Sequence, residues 1–167
     1  MSGPGIPSRV FHGTSHAFDR FEPRHLGRSV RNPTTEFGFF FSEDPEDAEY
    51  WAHRAERHGR SGGVPRLVTA EVRVDNPALI SPRKFQFYLQ RARVSTIQRD
   101  LNAWRDVGRD GITTIRDGVR WWAPFDATAI RTISSRPLSR VVEVVAGGDA
   151  AQGDQHASRS RADDPAP

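Results

Sequence analysis

Residues 37–58 read FGFFFSEDPEDAEYWAHRAERH, and the pattern changes character at Asp44. Before it, Phe37–Ser42 reads as an aromatic strand interrupted by Gly38. Side chains alternate across a strand, so placing Phe40 toward a cleft leaves Phe39 and Phe41 buried. After it, Asp44-Pro45-Glu46-Asp47 is a helix start. Asp caps, Pro fits the first position, where its missing N–H costs nothing, and the acids meet the positive helix end. The helix runs to about His58, with Ala48, Trp51, Ala52 and Ala55 at i, i+3, i+4 and i+7 as its buried face.

Upstream, a short strand at Arg9–Gly13 leads into His12-Gly13-Thr14-Ser15, and Phe18 and Phe21 are the next apolar anchors. Arg24 to Glu36 is polar and reads as a long loop, a length that usually has a functional reason. Downstream, Leu67–Val74 alternates Leu67, Thr69, Glu71 and Arg73 against Val68, Ala70, Val72 and Val74, a half-buried strand that Asp75-Asn76-Pro77 ends. Ser81-Pro82 caps a helix over Phe85–Ala92, and a second helix at Thr96–Asp106 shares Ile97, Leu101 and Trp104 on one face. A buried strand at Ile112–Ile115 turns at Asp117-Gly118 into Arg120–Phe125. There Trp121 and Trp122 read as a sheet pair, one inside and one outside. Asp126–Ala129 breaks that strand, Ile130–Ile133 is extended, and Ser139–Val145 reads as a last strand. Short strands and two or three helices in irregular order give an α+β class rather than a parallel βαβ sheet.

At 167 residues the chain is one domain. Its apolar share of 36% is low, which fits an ordered part at 9–146 between polar, disordered ends at 1–8 and 147–167. The absence of cysteine excludes disulfides and thiolate chemistry. The six histidines lack metal-ligand spacing, so no metal is expected. No run approaches the roughly 18 apolar residues that span a bilayer, and residues 1–9 have no signal-peptide core. A cytoplasmic location without membrane association is expected, with delivery by a signal-less route left open. All but one of the 24 basic residues are arginine, Lys84 being the exception, and pI is 10.1 at a net charge of +3. The guanidinium fork suits phosphate, but composition alone does not single out nucleic acid. There is no glycine-rich phosphate loop, so a dinucleotide would bind by another route.

Val10-Phe11-His12-Gly13-Thr14-Ser15 resembles the first-strand motif of the His-Tyr-Glu group of ADP-ribosyltransferases. Gly38-Phe39-Phe40-Phe41-Ser42-Glu43-Asp44-Pro45, with Asp47-Ala48-Glu49-Tyr50 after it, resembles that group's second motif. Gly108–Ile112, Trp122–Asp126 and Ile130–Ile133 are similar to the closing strands of small ADP-ribosyltransferase-like domains of bacterial and phage polyvalent proteins. The likeness spans roughly Arg9 to Ile133. It implies split, mostly antiparallel sheets, NAD as substrate, and a protein or nucleic-acid acceptor, with a toxin or effector role in view.

The resemblance also implies roles for individual residues. His12 hydrogen-bonds a ribose, Gly13 offers bare backbone to the nicotinamide carboxamide, and Thr14 supports the ribose or the adjoining strand. Phe40 stacks on the nicotinamide in place of a tyrosine, Tyr50 covers its other face with Trp51 the near alternative, and Ser42 is the small polar residue after the strand. The late-strand glutamate that grips the ribose and activates the acceptor falls on Trp121, which can instead stack on a ring. Stand-in carboxylates are Glu71, Asp126 and Asp117, in that order. Glu43, Asp44, Glu46 and Asp47 read as a solvated helix start with no catalytic role. Arg24, Arg28 and Arg31 are open between a pyrophosphate clamp and a solvated loop. A binding module without turnover and an RNA 2′-phosphotransferase-like relative stay open as alternatives.

Overall fold

The computed structural model describes residues 9–26, 32–58 and 63–139. Strand β1 (Val10–Thr14) is followed by β2 (Phe41–Ser42), helix α1 (Pro45–His58), β3 (Arg66–Val72) and β4 (Pro77–Leu79). Helices α2 (Pro82–Gln90) and α3 (Val94–Asp106) lead into the hairpin β5 (Gly111–Arg116) and β6 (Val119–Pro124), and β7 (Ile130–Pro137) closes the fold. The class is α+β: seven strands in the order β4-β5-β6-β2-β1-β3-β7, antiparallel except for the β4–β5 pair.

The split sheets expected from the sequence are instead one continuous sheet, narrowed to a thin joint at β2. β2 meets β1 only through Phe11↔Ser42 and meets β6 through Phe41↔Trp122 and Ser42↔Trp121. Two residues therefore connect the β4-β5-β6 half to the β1-β3-β7 half. Two cores flank this joint, and Trp122 of β6 belongs to the one beside β1 and β3. One gathers Phe37, Phe85, Tyr88, Ile97, Ile112 and Trp121 under α2 and α3. The other gathers Val10, Phe21, Phe41, Val68, Ala70 and Trp122. Trp121 and Trp122 are both buried, so the outward tryptophan expected from the sequence is covered as well. Each such side chain contributes about 2–3 kcal/mol of apolar burial.

Local chemistry explains the helix starts. Asp44 accepts from the Glu46 N–H at 2.8 Å, and Ser81 Oγ accepts from the Lys84 N–H at 3.2 Å, each satisfying a donor that the first turn leaves free. At the Asp117-Gly118 turn both φ values are positive, 51° and 83°, as a two-residue hairpin of this hand requires. Asp110 fixes the chain before β4 by accepting from the Asp75 and Asn76 N–H groups at 2.6 and 2.9 Å.

Three expectations change. The aromatic strand over Phe37–Ser42 shrinks to Phe41–Ser42, because a 3-10 turn runs through Pro33–Phe37 and Asn32 caps it. Gly38 then takes φ 127° with its Cα against the Pro124 carbonyl, out of ladder geometry. Pro77 begins a strand rather than only ending one, which an edge position permits because its missing N–H faces no partner. β7 is longer than Ile130–Ile133, because its pairing with β3 shifts register at Thr69/Ala70 and continues to Pro137. The strand read at Ser139–Val145 falls outside the described residues except for Ser139, which is in no strand, and so do both polar ends.

Candidate functional site

A cavity of about 380 Å3 opens between β1, α1, α2 and the Asn32–Phe40 segment. That volume lies in the lower part of the range for small-molecule sites. At one end stands His12. Its ring lies 5.3 Å from Phe21 and 6.1 Å from Phe39, edge to face with both, and 5.5 Å from Phe41. This apolar packing pushes the imidazole below its ordinary value of 6.5, and the bond to the Phe40 carbonyl only partly offsets that. His12 Nδ1 lies 2.8 Å from that carbonyl oxygen. A carbonyl can only accept, so Nδ1 carries the proton, and a neutral ring then has Nε2 as a hydrogen-bond acceptor. The same bond ties the Gly38–Phe40 segment, which has no ladder of its own, to β1.

The other end is aromatic and charged. Trp51 of α1 and Trp121 of β6 meet edge to face at 5.6 Å, and Phe40 and Phe85 stand 5.9 and 6.3 Å from Trp121. The Arg116 guanidinium sits 4.4 Å over the Trp51 ring and 5.3 Å from the Trp121 ring. Arg54, one turn beyond Trp51, lies 5.6 Å from the same ring. Between the two indoles is Asp47: Trp51 Nε1 donates to Oδ1 at 3.3 Å and Trp121 Nε1 donates to Oδ2 at 2.8 Å. Among the described residues it is the sole acid in the cavity wall.

Of the residues singled out in the sequence, His12, Gly13, Thr14, Phe40, Ser42 and Trp121 all line the cavity. Their surroundings modify several of the expected roles. A Cβ on Gly13 would lie 1.9 Å from the Ala48 carbonyl oxygen and 2.6 Å from the Ala52 nitrogen, so this glycine lets α1 press against β1. Thr14 Oγ1 accepts from the His16 N–H and Ser42 Oγ from the Asp44 N–H, each at 3.1 Å, which orders the turns behind the wall. Trp121 presents its indole N–H to Asp47 rather than a free edge to the cavity.

Others fall outside. Tyr50 points to solvent at 51% exposure and leans on Trp51, which lines the cavity in its place. Glu71 does not enter the cleft: Ala70 and Val72 fill the core side of β3, and Glu71 pairs on the opposite side with Arg131 of β7 at 2.9 Å. Asp126 caps the 3-10 turn at Ala127–Ala129 by accepting from the Thr128 N–H at 2.8 Å. Asp117 is on the exposed hairpin tip. Arg24 pairs with Glu22 away from the cavity wall, and Arg28 and Arg31 lie outside the described residues.

Asp47 is not the solvated helix-start residue expected from the sequence, since it lines the cavity and accepts two indole N–H groups; Arg54 and Arg116 drew no reading from the sequence. The available signal was the i, i+4 spacing of Asp47 and Trp51, which puts an acid on the same helix face as a large aromatic. Among the described residues no cluster of His, Asp and Glu could hold a metal ion, and no helix is long and apolar enough to cross a membrane.

No protein-family model matches the chain, and no curated protein matches it in sequence. In fold it is similar to a chain in the crystal structure of the M. tuberculosis MbcT–MbcA toxin–antitoxin complex. The TM-score is 0.50 over 79% of this chain and 84% of that one, at 12% identity. That likeness shows a shared α+β fold.

Proposed function

We propose that the cavity binds NAD and that the chain is an ADP-ribosyltransferase of the His-Tyr-Glu type, transferring ADP-ribose to a protein or nucleic-acid acceptor. The observation that carries this reading is the His12–Phe40 pair. A neutral imidazole, fixed through Nδ1, offers Nε2 as an acceptor to a ribose hydroxyl beside the Phe40 ring. A flat aromatic face in a largely apolar cavity suits a nicotinamide ring. The volume suits the nicotinamide–ribose half of the molecule. The fold neighbour comes from a toxin–antitoxin complex, which supports a toxin or effector role.

Two measurements test this. Titration calorimetry with NAD is expected to show binding that His12→Ala weakens at least about tenfold, the worth of one lost hydrogen bond of about 1.4 kcal/mol. Nicotinamide release from NAD, followed by chromatography, is expected for the wild type and lost in the same variant. If His12→Ala changes neither, the reading is wrong. A binding module without turnover is the second reading, favoured by Trp121 standing where the resemblance places an acid. It predicts the calorimetric result without any nicotinamide release.

A further inference from the structure

We infer that Asp47 is the carboxylate of this site: it stabilises positive charge on the ribose of a bound pyridine dinucleotide and takes the proton of the attacking acceptor. The inference rests on the NAD reading above. Three observations lead to it. Asp47 is the sole acid of the cavity wall among the described residues. It stands at the end walled by Phe40, Trp51, Phe85 and Trp121. Each carboxylate oxygen accepts one indole N–H, at 3.3 and 2.8 Å. Indole is a neutral donor, so these bonds orient the carboxylate without cancelling its charge, and each oxygen keeps a lone pair for a ligand. An oriented carboxylate with no ion pair within 4 Å among the described residues favours the movement of positive charge from the pyridinium ring onto the ribose.

The step balances without an added oxidant or reductant. The bond from ribose C1′ to the pyridinium nitrogen breaks, and its electron pair leaves with nicotinamide, which becomes neutral. The oxygen of an acceptor hydroxyl, or of water, bonds to C1′. Its proton passes to Asp47 and then to solvent. With water as acceptor the products are ADP-ribose, nicotinamide and one proton.

A structural alternative exists, in which Asp47 does no more than hold the two indoles in place. The experiment separates the two. Asp47→Asn removes the charge and keeps the shape, but its amide NH2 faces an indole N–H. Trp51→Phe/Asp47→Asn relieves that opposition and is compared with Trp51→Phe alone. Folding is checked by thermal unfolding and near-UV dichroism. Expected is a fall in nicotinamide release of at least about a hundredfold in both comparisons, the range for loss of a general base or a charge stabiliser. The Kd for NADH, whose nicotinamide is uncharged, stays within about threefold. Folded variants releasing nicotinamide within about threefold of their parents overturn the inference while leaving the NAD reading intact. A wild type that binds NAD and releases no nicotinamide overturns both the inference and the transferase reading. A wild type that does not bind NAD overturns the NAD reading itself.

Discussion

Gly13→Ala discriminates between two reasons for a glycine at the end of β1. If the bare backbone serves only a ligand, the free protein tolerates a methyl group there. If it serves helix packing, the free protein is destabilised. A Cβ at Gly13 would sit 1.9 Å from the Ala48 carbonyl oxygen and 2.6 Å from the Ala52 nitrogen. Ordinary Cβ contacts begin near 3.4 Å, so α1 must retreat by the difference, 3.4 − 1.9 = 1.5 Å, at Ala48. Neither atom can rotate away, because both belong to the helix main chain. Ala48 and Ala52 are 2% and 0% exposed, so the retreat opens the α1–β1 interface. Overpacking of this kind costs about 1–3 kcal/mol, and a backbone-to-backbone clash belongs at the upper end. Alanine also restricts the unfolded chain, which returns about 0.4–1 kcal/mol. The net expectation is a loss of about 2–3 kcal/mol, lowering Tm by roughly 10 °C. Urea and thermal unfolding of the ligand-free protein, followed by circular dichroism, measure it. Adding Ala48→Gly should rescue nothing, since the obstructing atom is a carbonyl. A Gly13→Ala protein melting within about 2 °C of wild type, with ligand binding lost, would refute the packing argument and return this glycine to the ligand.

Three further outcomes follow from the same geometry. Burial holds the His12 pKa below 6.5 in the folded protein, so between the folded and unfolded values the unfolded chain binds more protons and stability rises with pH. Full stability is therefore present above about pH 6.5 and declines as pH falls toward the folded value; urea titrations at pH 7.5 and 5.5 should show a smaller decline in His12→Asn than in wild type, and equal declines would contradict it. Glu71→Gln should leave NAD affinity and nicotinamide release within about twofold of wild type, because Glu71 faces Arg131 away from the cavity; a large loss of turnover would put β3 back into the site. Arg116→Ala should weaken NAD and nicotinamide riboside alike in calorimetry, because Arg116 packs on the Trp51 and Trp121 rings that hold Asp47; a loss confined to NAD would instead put its pyrophosphate at Arg116.

The sequence is readable where short-range chemistry decides. The α1 start needs only Asp44, Pro45 and the acids after it, and the β5–β6 turn needs only Asp117-Gly118. Both come from contacts within a few residues. The segment before α1 is different. Three consecutive phenylalanines satisfy a strand pattern, but Pro33, the Asn32 cap and the approach of Gly38 to Pro124 decide the backbone there. Phe40 then gives its carbonyl to a histidine 28 residues earlier instead of to a ladder. β7 was read short for a related reason. Its face is largely exposed, so the apolar signal ends near Ile133 while the backbone pairing continues to Pro137.

The site divides along the same line. The residues of one strand motif, His12 to Thr14, stay together because β1 is continuous, and Phe40 joins them through a single bond. A carboxylate is harder to place, since it acts through its position in space and any nearby element can supply it. β2 pairs Ser42 with Trp121, and α1 begins three residues after Ser42. The first turn of α1 is thereby delivered to the Trp121 side chain, 74 residues away in sequence. An acid at 121 would set a second carboxylate beside Asp47, and two like charges that close cannot both remain ionised. An indole there supplies an N–H donor instead. The indole on β6 and the acid on α1 are thus parts of one arrangement, which is why neither is intelligible from its own local sequence.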